Sequence, residues 1–174
     1  MTVQTNPRRR ARPVAFTSQL PFDERRVQAA AIYCSDGRFG EQMDEFLHAG
    51  LGLPRYDRLA APGGAACLAG HAMTYYEQTA MESEVEFLVR EHGLRRIVLI
   101  AHDGCAFYKS LGHGPASIED QQAIDLRKAV ERITLWQPGL EIEAYFARKV
   151  DGKIVFERWP TSDGEDAASG HNAP

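Results

Sequence analysis

Two short stretches of this chain, Cys34-Ser35-Asp36-Gly37-Arg38 and His102-Asp103-Gly104-Cys105, combine residue types and spacings that could do chemistry. His102 and Cys105 are three apart, so one turn of backbone can aim an imidazole and a sulfur at a single point, as zinc-ligand spacings commonly do. If the chain stays extended past Tyr33, Cys34, Asp36 and Arg38 share one face while Ser35 and Gly37 point away. Brought together, the two stretches offer two sulfurs and one nitrogen. Zinc uses that Cys₂His set in catalytic sites, with a fourth position left for water or substrate. Two thiolates neutralise the dication, so the fourth ligand is either Asp36, giving a closed site, or water, giving an open one that supplies hydroxide near neutral pH. Arg38 favours the open form, because a guanidinium can hold the Asp36 carboxylate bidentately and draw it off the metal.

Such convergence needs strands that end together. Val27 to Tyr33 is a short apolar run suited to a strand buried on both faces, and it stops at Cys34. Ile97 to Ala101 is the clearest buried strand, and it stops at His102. Helical spacing over Gly40 to Ala49 and from about Cys67 to His92, with Gly93 as C-cap, separates these strands from each other and from a further strand at Arg55 to Ala60. The loop Pro62-Gly63-Gly64 allows a tight turn or close backbone approach. Ser117 reads as the N-cap of a helix running to Trp136, where Pro138-Gly139 ends it. Glu141 to Ala147 alternates as a half-buried strand, and Asp151-Gly152 turns it into a hairpin partner over Lys153 to Trp159. This alternation predicts an α/β fold. Its mostly parallel sheet of about four to five strands is covered by helices on both faces and carries an antiparallel edge strand, with ligands at the carboxyl ends of the strands.

The 174 residues fit one domain, with 44% hydrophobic and 25% charged residues as in soluble globular proteins. A net charge of −4 gives no general attraction to nucleic acid or anionic membranes, and no apolar stretch approaches a membrane span. Residues 1–26 read as a basic, partly disordered arm around Arg8, Arg9, Arg10 and Arg12, residues 27–160 as the zinc-binding domain, and residues 161–174 as a disordered tail. Neither a secretory segment nor an amphipathic targeting pattern is visible, which makes the cytoplasm the expected location. Three scattered cysteines do not make a disulfide scaffold.

The paired Cys-x-Asp-x-Arg and His-x-x-Cys motifs resemble the β-class carbonic anhydrases. The likeness extends to Glu84 through His102, which is similar to that family's helix-then-strand approach to its histidine, and to its closing strand pair over Gly139 to Phe156. The resemblance implies a zinc enzyme, dimeric or higher, that reversibly hydrates carbon dioxide to bicarbonate with hydroxide at the zinc as nucleophile. It further implies Cys34, His102 and Cys105 as ligands and Asp36 with Arg38 as the catalytic dyad. The chain departs from the family in having Ala61-Pro62-Gly63-Gly64-Ala65 for the usual Arg-Asn-Ala-Gly-Asn loop, Ala106 after the cysteine, and no clear counterpart of the glutamine that often lines the substrate pocket. Two other functions compete: a hydrolase of carbonyl sulfide or carbon disulfide from the same superfamily, and a structural or regulatory zinc protein closed by Asp36.

Cys67 and His71, four apart on the expected helix, form a second pair of metal-binding types without strand-end partners, and read as a buried thiol and a satisfied histidine. His48, His92 and His113 read as surface residues, with His113 a possible proton relay. Asp103 and Tyr108 are expected near the site without an assignable role.

Overall fold

A computed structural model describes residues 12–112 and 114–161. Arg8 to Arg10, His113 and the tail beyond Thr161 lie outside the described residues. The element order is β1 (Ala29–Cys34), α1 (Gly40–Glu45), β2 (Asp57–Ala61), α2 (Tyr75–Phe87), β3 (Arg96–His102), α3 (Ala106–Ser110), α4 (Pro115–Trp136), β4 (Glu141–Val150) and β5 (Lys153–Trp159). One further helical turn in π geometry prolongs α1 over Phe46–Gly50 and another prolongs α2 over Leu88–His92, where Gly93 caps the chain at φ 70°.

The sheet order is β2-β1-β3-β4-β5. β1 runs parallel to both β2 and β3, β3 runs parallel to β4, and only β5 is antiparallel. All six residues of β1 are buried, and so are the last six of β3, which explains their unbroken apolar composition. Alternate side chains feed two cores. On one face, Ile32, Ile97, Leu99 and Phe146 pack with Val85 of α2 and Leu126 and Ile133 of α4. On the other, Ala31, Tyr33, Val98 and Ile100 pack with Met43 of α1 and Leu47 just beyond it. Among the described residues the α1 unit and the loop after it, with Leu51, Leu53 and Tyr56, cover this second face, and Phe46 stacks on Phe156 of β5 at 4.1 Å between ring centroids.

Four details differ from expectation. The helix expected from Cys67 is interrupted: Gly64–Leu68 and Ala72–Thr74 are 3₁₀ turns, parted by Gly70 at φ 81°, and α2 begins at Tyr75. The N-cap of α4 is Gly114 with a proline at the helix start, so Ser117 lies inside the first turn, its hydroxyl donating to the Gly114 carbonyl at 2.9 Å. β4 is buried on both faces through Glu143 to Ala147, because Arg96 of β3 pairs with Glu143 at 2.7 Å and lets a carboxylate sit under cover. Half-buried alternation is instead a property of β5, the edge strand. The hairpin turn is as expected, with Asp151 at φ 47° and Gly152 at φ 77°, the paired positive values that suit a two-residue connection.

Candidate metal centre

β1 and β3 are neighbours in parallel register, Tyr33 opposite Ile100, so Cys34 and His102 emerge side by side at the carboxyl edge of the sheet. Past His102 the chain turns through Gly104 at φ 66° and returns Cys105 as the residue before α3. The result is a cluster of one atom each from Cys34, His102 and Cys105, all within 4.8 Å of one another and all on buried residues. The two sulfurs are 3.8 Å apart.

His102 is 0% exposed, and its ring is held from several sides. Nδ1 lies 2.9 Å from the Asp103 carbonyl, an acceptor only, so Nδ1 carries the proton and Nε2 keeps a free lone pair. That Nε2 is buried and has no hydrogen-bond partner among the described residues. The Phe39 ring packs 4.3 Å from the imidazole, and Gln122 of α4 donates to the His102 carbonyl at 3.1 Å. The S–H of Cys105 lowers the pKa of Cys34 against the opposing effect of burial, with His102 and the backbone of Gly63 and Asp36 assisting. The Cys34 sulfur in turn pushes the Cys105 thiol well above its ordinary value, burial adding to the effect. Two thiolates this close repel each other unless a positive charge lies between them, and an orphaned imidazole nitrogen beside two such sulfurs fits a zinc ion.

The chain does not stay extended after Cys34. Phe39 N–H donates to the Asp36 carbonyl at 3.1 Å, closing a turn through Gly37 and Arg38. Asp36 and Arg38 meet nonetheless: the carboxylate accepts the Arg38 backbone N–H at 3.1 Å, Nε at 2.9 and 3.1 Å, and a terminal guanidinium nitrogen at 2.5 Å. The guanidinium holds the Asp36 carboxyl well below the usual carboxylate range. Asp36 contributes no atom to the three-residue cluster.

Gly64, in the 3₁₀ turn after β2, backs the first ligand. Its φ is +56°, and a Cβ there would lie 2.8 Å from the Cys34 nitrogen and 2.9 Å from the Tyr33 carbonyl carbon, both backbone atoms that cannot yield. Gly64→Ala is therefore expected to destabilise the fold by about 2–4 kcal/mol, left-handed strain adding to overpacking, and to weaken zinc retention with it. Chemical denaturation with metal analysis of the same preparation checks this.

Cys67 and His71 part company. Cys67 donates to the Gly64 carbonyl at 3.0 Å, and burial pushes its thiol up to about 12. His71 Nε2 reaches Asp125 of α4 at 2.8 Å. Asp125 is 0% exposed, and its carboxylate also accepts the Tyr108 hydroxyl at 2.8 Å and the Gln121 amide at 2.9 Å. Tyr108 packs in one cluster with Cys34, Ala66 and Cys105, so this buried network stands directly behind the ligands. Asp103 pins the His102–Cys105 turn to β4, accepting the Lys149 backbone N–H at 2.7 Å. His48 is exposed, while His92 is half-buried against Asp57 at 2.8 Å. The spacing does not single out Gln122 and Asp125. Their signal is present, however, since both fall at helical intervals on the inner stripe of Ile118 and Ala129.

The fold is that of the β-carbonic anhydrases. The β-carbonic anhydrase CafA of Aspergillus fumigatus superposes with a TM-score of 0.52 at 13% identity over 82% of this chain and 79% of that one. For β-carbonic anhydrase isoform I of Trichomonas vaginalis the TM-score is 0.50 at 15% identity, over 80% and 87%. The family described as "Putative carbonic anhydrase" matches residues 24–156, and this chain belongs to it. Among curated relatives, uncharacterized proteins of Rickettsia conorii and Rickettsia bellii are 32% and 30% identical over 81 residues. That match is 46% of this chain and only 42% and 48% of theirs, less than half the length of either relative.

Proposed function

We propose that this chain is a zinc enzyme that reversibly hydrates carbon dioxide to bicarbonate, with Cys34, His102 and Cys105 holding the metal and Asp36 and Arg38 serving as the catalytic dyad. The observation that carries this reading is the buried Nε2 of His102, unpartnered among the described residues, beside two sulfurs 3.8 Å apart. A bound zinc ion supplies hydroxide near neutral pH by lowering the pKa of a water molecule from 15.7 to about 7. Asp36, kept ionised by Arg38, would stand as the hydrogen-bond acceptor that orients the attacking hydroxide toward the carbon of the substrate. Arg38 fixes the carboxylate in one orientation through its fork. The Asp103 carbonyl and the Phe39 ring keep the imidazole in the tautomer and plane that present Nε2.

The pairing of Asp36 with Arg38 weighs against a structural zinc site closed by Asp36. Carbonyl sulfide and carbon disulfide would call on the same nucleophile and the same dyad, so they compete with carbon dioxide at the level of the substrate alone. We take the working unit to be a homodimer or higher oligomer in the cytoplasm; the exposed Val14, Phe16, Leu20 and Phe22 ahead of β1 support self-association. Among the described residues no helix is long and apolar enough to cross a membrane.

Metal analysis together with stopped-flow assays on carbon dioxide and carbonyl sulfide tests the reading. One zinc per chain and faster turnover of carbon dioxide are expected. Preference for carbonyl sulfide would reassign the substrate, and a zinc-loaded protein inert on both would leave the structural reading in its place.

A further inference from the structure

At the opposite, amino end of β1 and β3 lies an open cavity of about 310 Å³, lined by Arg26, Arg55, Arg95 and Arg96 together with apolar neighbours such as Leu53 and Pro54. Five strand steps of about 3.3 Å separate Ala29 from Cys34, so this cavity is about 17 Å from the metal centre. Four arginines bordering one hollow repel each other unless each is offset. Two are. Arg55 pairs with Asp23 at 3.2 Å and donates to the carbonyls of Asp23 and Arg25 at 2.8 and 3.0 Å. Arg96 pairs with Glu143 at 2.7 Å.

The other two are uncommitted. Among the described residues the exposed side chains of Arg26 and Arg95 have no hydrogen bond or ion pair. Arg26 does act through space on Glu91, but that carboxylate is already bound to Arg90 at 2.7 Å. Glu141, exposed at the start of β4, adds to the field at Arg96 without bonding to it. The Nε of Arg96 is sealed from solvent and has no partner among the described residues, so it is not a donor that a ligand in the hollow reaches.

We infer that this arginine-lined hollow at the amino end of the sheet binds a dianionic phosphate group, either inorganic phosphate or the same group on a small monoester. Two unoffset cations call for a dianion; a chloride or a bicarbonate would neutralise only one. Phosphate oxygens match the fork of a guanidinium, and the volume is at the small end of the range of about 300–1,000 Å³ typical of ligand pockets. The assignment is independent of what the metal centre does.

Calorimetric titration of the full-length protein with inorganic phosphate and, separately, with AMP, at constant ionic strength and with potassium chloride as the blank, tests it. Saturable one-to-one binding of either probe is expected, the tighter one identifying the form in which the phosphate arrives. Arg26→Gln and Arg95→Gln, both at exposed positions, should each weaken binding about tenfold. Lys128→Gln, which removes the same charge from an exposed site on α4, should leave it unchanged. Binding should also be equal with and without zinc. Equal response to chloride, loss of binding in Lys128→Gln to the same degree as in Arg95→Gln, or binding that requires the metal would overturn the assignment.

Discussion

Cys105→Ser is expected to empty the protein of zinc while leaving it folded. Cys105 is 0% exposed, and its sulfur supplies one of the two thiolates that a dication needs in this cluster. A serine hydroxyl does not ionise near neutral pH, so the substitution removes both the soft donor and a negative charge. Loss of an outer partner to a metal ligand costs about 10–100-fold in affinity, and loss of the ligand itself must exceed that. The sheet ladder does not depend on this atom, and the change in volume is small. Zinc should fall to trace levels by mass spectrometry while the circular dichroism spectrum is kept. Full zinc occupancy in this variant would mean that the metal is held by some other set.

Asp36→Ala is expected to do the reverse, keeping zinc and losing turnover. The carboxylate lies outside the ligand cluster and is spent on Arg38, so its removal takes nothing from the metal. In the proposed mechanism the substitution removes the acceptor that orients the nucleophile, a role worth about 10²–10⁴ in rate for positioned acid–base groups. Arg38→Lys should recover only part of the wild-type rate, since an ammonium is a point charge and cannot hold a carboxylate by two parallel bonds. Stopped-flow kcat/KM values and metal content from the same samples decide the matter. A loss of zinc in Asp36→Ala would make Asp36 a ligand and favour the closed site.

How legible these features are in the sequence depends on how local their causes are. Ile97 to Ala101 reads as a central strand because it is covered on both faces, and the histidine at its end follows. The Asp36–Arg38 pair is also legible, but by the wrong route: the argument from extension fails, and the two meet because an aspartate side chain captures the backbone N–H two residues on and folds a turn. Gly114-Pro115 carries the true start of α4, a proline in the first turn, and outweighs Ser117 as a signal. The break between Cys67 and Tyr75 follows from Gly70 at φ 81°, a backbone state that composition alone does not announce. Burial of Glu143 is not local at all. It depends on Arg96, 47 residues earlier in the chain. Asp125 is the intermediate case, a polar residue on an apolar stripe whose partners His71 and Tyr108 come from two other segments.

The adjacency of β1 and β3 has one more effect. The spacing between the first sulfur and the imidazole is set by the hydrogen-bond ladder of two fully covered strands, and the third donor is tethered to the same edge by the Asp103 clasp on β4. The cluster proposed to hold the cation is thus shaped by the fold itself, and an arriving ion would have no scaffold to organise. Small zinc modules collapse when stripped of metal. Here the chelated chain is expected to keep its shape, so that removing the metal would abolish the proposed activity without unfolding the polypeptide.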